Sequence, residues 1–109
     1  MTQKIVFLNA LITSSKMPMT LKTRPVTLGE VRELVKGREI VSFIGHEATA
    51  RLMTRLLLVS VPFNRAVYEA KPGDTAVVVR LRRRLEKPED VQNVSESDVE
   101  FILVEYSEY

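Results

Sequence analysis

The feature that most limits what this chain can fold into is the passage from a short apolar run to an amphipathic helix within residues 39–58. Glu39-Ile40-Val41-Ser42-Phe43-Ile44 alternates loosely and reads as a strand, closed by Gly45. From about 46 to 58, Thr49, Leu52, Met53, Leu56 and Leu57 recur at helical spacing and make one apolar face. A helix that begins this way leaves its first backbone N–H groups without intrahelical partners, aimed at whatever lies in front of the turn. Such a turn is a natural anion site. His46, the only histidine of the chain, stands at it. Histidine is the one side chain whose unperturbed pKa lies near neutrality. The residues alone support two readings: an anion site with a proton donor at its mouth, or a histidine that simply starts a helix.

The rest of the chain supplies partners for this unit. Residues 4–9, Lys-Ile-Val-Phe-Leu-Asn, read as a buried strand ending at Asn9, followed by a loop over 10–19. Residues 20–26 are expected to be extended, because Pro25 disfavours helical geometry at Arg24. Thr27-Leu28-Gly29-Glu30 fits a capping box, which predicts a helix over 28–36 with Val31, Leu34 and Val35 inward and Gly37 as its stop. After a link at 59–63, Asn64-Arg65 opens a predicted third strand running to about Glu69. The Lys71-Pro72-Gly73-Asp74 turn then leads into a long strand from Thr75 to about Leu85, and the turn suggests that these two strands form a hairpin. Residues 86–97 are polar and broken by Pro88, and read as a loop; residues 98–106 make a final strand. No repeat or domain linker interrupts the 109 residues, so residues 1–109 are read as a single domain.

Composition removes several function classes. The chain has no cysteine and one histidine, which leaves no disulfide and no ligand set for a structural zinc. No paired Asp/Glu cluster offers a magnesium site, so neither metal nor cofactor is expected. No apolar stretch approaches the roughly 20 residues needed to span a bilayer, and the N-terminal segment lacks the form of a signal peptide. A cytoplasmic protein without a membrane partner is expected. The net charge of +2 does not suit bulk coating of nucleic acid, and no stable DNA complex is expected.

The charge is unevenly placed. Arg80, Arg82, Arg83 and Arg84 fall within five positions of the long predicted strand. Side chains alternate faces along a strand. Val77, Val79 and Leu81 therefore share one face with Arg83 and Leu85, and Arg80, Arg82 and Arg84 share the other. Residues two apart on a strand are about 6.6–6.8 Å apart, a spacing comparable to that of successive phosphates. Guanidinium binds phosphate through a fork of donors and keeps its charge. A solvated or glutamate-paired strand face is the alternative. Aromatic residues are too few for extended single-strand binding by stacking, so a compact phosphate-rich ligand suits the row better.

Leu8-Asn9-Ala10, Ile44-Gly45-His46-Glu47-Ala48-Thr49, Asn64-Arg65 and Arg84-Leu85-Glu86 occur in this order along nearly the whole chain. Together they resemble the viral type III anti-CRISPR ring nucleases, a family that also has cellular members associated with CRISPR loci. The resemblance implies a small α+β fold, a mixed sheet of about five strands flanked by helices, and a homodimer. It implies metal-independent cleavage of cyclic tetra-adenylate to linear di-adenylate with a 2′,3′-cyclic phosphate. The substrate's own 2′-hydroxyl is the nucleophile, so the protein must align the phosphate, stabilise its charge and protonate the leaving oxygen. By the resemblance, His46 is the general acid, Arg84 stabilises the transition state, Arg65 anchors phosphate and Asn9 lies beside the ligand. Gly45, Arg80 and Arg82 complete the expected substrate-binding set. One position departs from the family pattern. Lys87 stands where a catalytic glutamate is expected, with Glu86 and Glu89 as neighbours able to replace it. A non-cleaving cyclic-oligonucleotide sponge or sensor, and a small nucleic-acid-binding regulator, are the alternatives.

Overall fold

The computed structural model describes residues 4–13, 16–82 and 94–109. Its frame is one mixed five-stranded sheet in the order β2-β5-β4-β1-β3. Strand β1 (Lys4–Leu8) lies between β3 (Glu39–Phe43) and β4 (Thr75–Leu81) and is parallel to both. Strand β5 (Val99–Glu108) runs antiparallel between β4 and β2 (Met19–Val26). All of β1 after Lys4 is buried, as expected for a parallel strand covered on both faces. This explains its unbroken apolar sequence.

Both helices lie against one face. Helix α1 (Leu28–Val35) begins at Thr27, whose hydroxyl accepts from the Glu30 amide at 3.1 Å, while the Glu30 carboxylate accepts from the Thr27 amide. The capping box is therefore closed from both sides. Gly37, at φ 71°, makes the left-handed exit that the sequence predicted. Helix α2 (Glu47–Leu57) turns Leu52, Met53, Leu56 and Leu57 inward. They pack with Val31 and Val35 of α1 onto Ile5, Phe7, Val77, Val79, Phe101 and Leu103 of the sheet. Arg32 of α1 donates through Nε and Nη2 to the Leu56 carbonyl at 3.1 and 2.9 Å, supplying donors to an otherwise open end of α2.

The opposite face carries a second cluster of Val6, Leu8, Ala76, Val78, Val104 and Tyr106. No helix covers it among the described residues. Tyr68, from the irregular segment before β4, packs on it instead.

That segment departs from the sequence expectation. Residues 64–70 form no strand, and their connection to β4 is not a hairpin. The reason is topological. Strand β4 already has β1 on one side and β5 on the other, so neither edge is free to receive another strand. Only Phe63 makes a bridge, to Ile44, extending the line of β3. The following residues cross the open face. The predicted strands at 20–26 and 98–106 correspond to β2 and β5, and the predicted helix from about 46 to 58 corresponds to α2, with His46 as its N-cap. The small α+β domain with a five-stranded mixed sheet is as expected. The expected end of the long strand at Leu85 and most of the 86–97 loop lie outside the described residues; a short 3-10 turn at Glu96–Asp98 precedes β5.

Candidate functional site

The parallel strands β1, β3 and β4 end on the same side of the sheet, and loops leaving the carboxyl ends of parallel strands are where α/β sheets bind ligands. Three predicted ligand residues meet there. Gly45 follows β3, Asn9 follows β1, and Arg65 arrives from the crossing segment. The Asn9 Oδ1 accepts from the Gly45 amide at 3.4 Å, and the Arg65 Nε donates to the Gly45 carbonyl at 3.2 Å. They line one open cleft of about 350 Å³ together with Leu8, Ile12, Phe43 and Tyr68. Its floor is apolar and its rim carries the Arg65 guanidinium, a composition usual for small-ligand sites.

Arg65 lies directly over Gly45. A Cβ on Gly45 would stand 3.4 Å from Arg65 Cγ and 3.8 Å from Arg65 Cα, in ordinary contact with the arginine stem.

Asn64 holds the arginine in place. Its amide donates to the Ile44 carbonyl at 2.8 Å and its Nδ2 to the Ser42 carbonyl at 2.9 Å, while its Oδ1 accepts from the Ala66 amide at 3.1 Å. Arg65 is thus flanked by residues fixed to the end of β3. Its guanidinium also lies 5.8 Å from the centroid of the half-exposed Phe63 ring. Three residues further on, the buried Tyr68 packs against Phe43 with the rings tilted by 52° and 5.2 Å between centroids, and donates to Asp74 Oδ2 at 2.6 Å. Burial foremost, and then the Asp74 carboxylate, push the Tyr68 hydroxyl well above the usual tyrosine pKa.

His46 is the N-cap of α2 and its side chain caps no backbone amide. The first turn of α2 therefore lacks the side-chain closure seen on α1, and its amides remain available to an anion. The imidazole Nδ1 lies 3.2 Å from Oγ1 of Thr49, a residue 4% exposed. The sequence places Thr49 on the apolar face and in the motif around His46, without a contact to the ring. The missed signal is the spacing of three residues, which stacks N-cap and N3 side chains on one helix edge.

The arginine row divides. Arg80 and Arg82 follow Val78 on the open face, beyond Leu8, which pairs with Val78. Arg80 is exposed. Arg82 makes an ion pair with Glu100, Nη2 to Oε1 at 3.1 Å, so the glutamate-paired reading describes this member of the row. Arg84 and Glu86, and with them Lys87 and Glu89, lie outside the described residues. Among the described residues, no three His, Asp or Glu groups come together as a metal-binding set, and no helix is long and apolar enough to cross a membrane.

A family model described as STIV B116-like matches residues 5–107. The chain belongs to this family. Curated relatives occur in archaeal viruses and in a bacterium. The chain is 32% identical over 76 residues to uncharacterized protein 26 of a Sulfolobus islandicus filamentous virus, an alignment covering 70% of this chain and 64% of that protein. It is 35% identical over 91 residues to YddF of Bacillus subtilis, covering 81% and 80% of the two chains. Identity to protein ORF117 of Acidianus two-tailed virus is 33% over 73 residues, covering 65% and 62%. Among solved structures, B116 of Sulfolobus turreted icosahedral virus superposes with a TM-score of 0.76 at 19% identity, over 94% of this chain and 98% of that one. The B116 fold is therefore the fold of this chain.

Proposed function

We infer that this B116-like protein is a metal-independent ring nuclease that binds cyclic tetra-adenylate and cuts it to linear di-adenylate, switching off type III CRISPR signalling. The observation that carries the reading is the meeting of Asn9, Gly45 and Arg65 in one cleft beside the uncapped start of α2 and His46. These residues come from three separate parts of the chain, and the resemblance places Asn9 beside the ligand and gives Arg65 a phosphate to anchor.

In this reading the phosphate sits between the Arg65 guanidinium and the first-turn amides of α2. The adjacent ribose 2′-hydroxyl attacks phosphorus as the bond to the 5′-oxygen breaks. The 2′-hydroxyl gives its proton to a carboxylate, for which the sequence offers Glu86, and His46 gives a proton to the departing 5′-oxygen. Arg84 neutralises charge developing on the phosphate. The products carry a 2′,3′-cyclic phosphate and a 5′-hydroxyl.

The size of the cleft favours a homodimer. A cleft of about 350 Å³ suits one small-molecule unit, whereas the ring has four nucleotides. Two copies facing each other would present two clefts to one ring. Leu11 and Val67, 51% and 86% exposed beside this cleft, are apolar side chains that such an arrangement could cover.

The test is incubation of the protein with cyclic tetra-adenylate, followed by separation of ring from linear products. Linear di-adenylate is expected, at a rate unaffected by EDTA, and His46→Ala should lose most cleavage (~10²-fold or more) while still binding the ring. Tight binding without product would establish the sponge instead. Lys87 at the place of the family glutamate favours that second reading.

A further inference from the structure

We propose that Thr49 is the positioning residue of His46: its buried hydroxyl fixes the imidazole plane and holds a hydrogen on Nδ1, so that Nε2, the nitrogen this contact leaves free, carries the proton that is transferred. The proposal rests on the reading of His46 as the general acid and deepens it.

A histidine at an exposed N-cap has two rotatable bonds and two tautomers, and general acid catalysis needs one orientation with a proton on the outward nitrogen. The imidazole Nδ1 lies 3.2 Å from Thr49 Oγ1. Thr49 itself is 4% exposed and sits on the third helical residue of α2, so its side chain cannot swing away with the ring. No other side chain is seen bonded to the ring among the described residues. A carboxylate in this place would favour the charged ring and hold its proton. A hydroxyl both donates and accepts. It accepts from Nδ1–H of the cationic ring, which leaves the transferable proton on Nε2. When that proton has gone to the leaving oxygen, the neutral ring keeps its hydrogen on Nδ1 and the hydroxyl still accepts it. One group therefore holds the ring in the same plane before and after the proton leaves Nε2.

The chain contains a single histidine, so its ring nitrogens can be followed without ambiguity. The experiment uses the whole protein, labelled with ¹⁵N, at a pH of about 8.5, well above the ordinary imidazole value. Wild type should show a pyrrole-type Nδ1 and a pyridine-type Nε2. Thr49→Val, which keeps shape and removes the hydroxyl, should show averaged shifts of mixed tautomers; Thr49→Ser should restore the wild-type pattern. In cleavage assays, Thr49→Val should lower kcat by about 10- to 100-fold with KM changed less than about twofold, and Thr49→Ser should recover most of it. On His46→Ala, adding Thr49→Val should cost nothing further. A hydrogen on Nε2 of the neutral wild-type ring, or identical nitrogen shifts in Thr49→Val, would overturn the proposal. Melting temperatures of both variants expose any loss of fold, which would lower activity without changing the tautomer. If the wild-type protein makes no linear product, the acid role of His46 fails, while the nitrogen spectra still decide what Thr49 does to the ring.

Discussion

Asn64→Ala separates the support of Arg65 from Arg65 itself. The substitution leaves the backbone bond to Ile44 in place and removes two side-chain bonds, to the Ser42 carbonyl at 2.9 Å and from the Ala66 amide at 3.1 Å. Each such bond contributes about 0.5–1.5 kcal/mol net. The Ala66 amide is exposed and water can replace its partner, so its share is at the low end. The Ser42 bond is partly buried and carries more. Together they should come to about 1–2 kcal/mol, which for a domain of this size lowers the melting temperature by roughly 4–16 °C. The consequence for binding is separate. With the Asn64 side chain gone, Arg65 keeps its charge and its reach to Gly45 but loses the side-chain ties to Ser42 and Ala66 that hold the chain on either side of it. Affinity for cyclic tetra-adenylate should fall by roughly 3- to 30-fold, the cost of ordering a loop and one long side chain on binding. Calorimetric titration well below the melting temperature measures this without interference from unfolding. Asn64→Asp keeps the acceptor for Ala66 and sets a carboxylate against the Ser42 carbonyl, so it should be no more stable than the alanine variant. An alanine variant that melts and binds like wild type would refute the account of Asn64 as the clamp.

Leu58 adopts φ 60° at the C-cap of α2 while 82% exposed, so Leu58→Gly should relieve backbone strain with little loss of burial and raise stability by about 0.5–1 kcal/mol. Differential scanning fluorimetry measures it, and a lower melting temperature would mean that the leucine is buried against something in solution. Tyr68 and Tyr106 both have hydroxyl pKa values raised by burial foremost, so the folded state retains protons that the unfolded chain releases. Stability is therefore fully present below about pH 10 and declines as pH rises beyond it. Tyr68→Phe should lower stability near neutrality by about 1 kcal/mol and flatten that alkaline decline, as denaturant melts between pH 8 and 11 would show; an unchanged alkaline slope would remove Tyr68 as its source.

The elements most legible in the sequence are those specified by local chemistry. Thr27 and Glu30 mark the start of α1 because the capping box is made within four residues. The α2 stripe is visible because one face is buried by a single layer. Alternation in β4 correctly separates Val77 and Val79 from Ala76 and Val78, which belong to the two different clusters. Residues 64–69 mislead for the same local reason. Val67 and Tyr68 are good strand formers, but pairing depends on a free edge, which is a property of the whole sheet. The candidate site is half legible. Gly45 and His46 stand out at a turn, while the contacts of Asn9 and Arg65 with Gly45 depend on how distant segments return to it.

The position of β5 has a consequence for how the protein comes into being. It joins β4 to β2, with Val78 paired to Ile102 and Arg24 to Leu103. Without residues 99–108 the sheet is two pieces: β2 alone, and the parallel trio β3-β1-β4. The trio itself closes only when Ala76 reaches Val6. During synthesis the first half of the chain can form α1, α2 and the β1–β3 pair, but Val77, Val79, Phe101 and Leu103 of the core that the helices cover arrive only with β4 and β5. Folding must therefore wait for the last strand, and proceed as a single late event with long loops to close. Until then Leu21 and Val26 of β2 have no sheet to cover them, and an early stop before residue 99 should yield aggregate rather than a smaller domain.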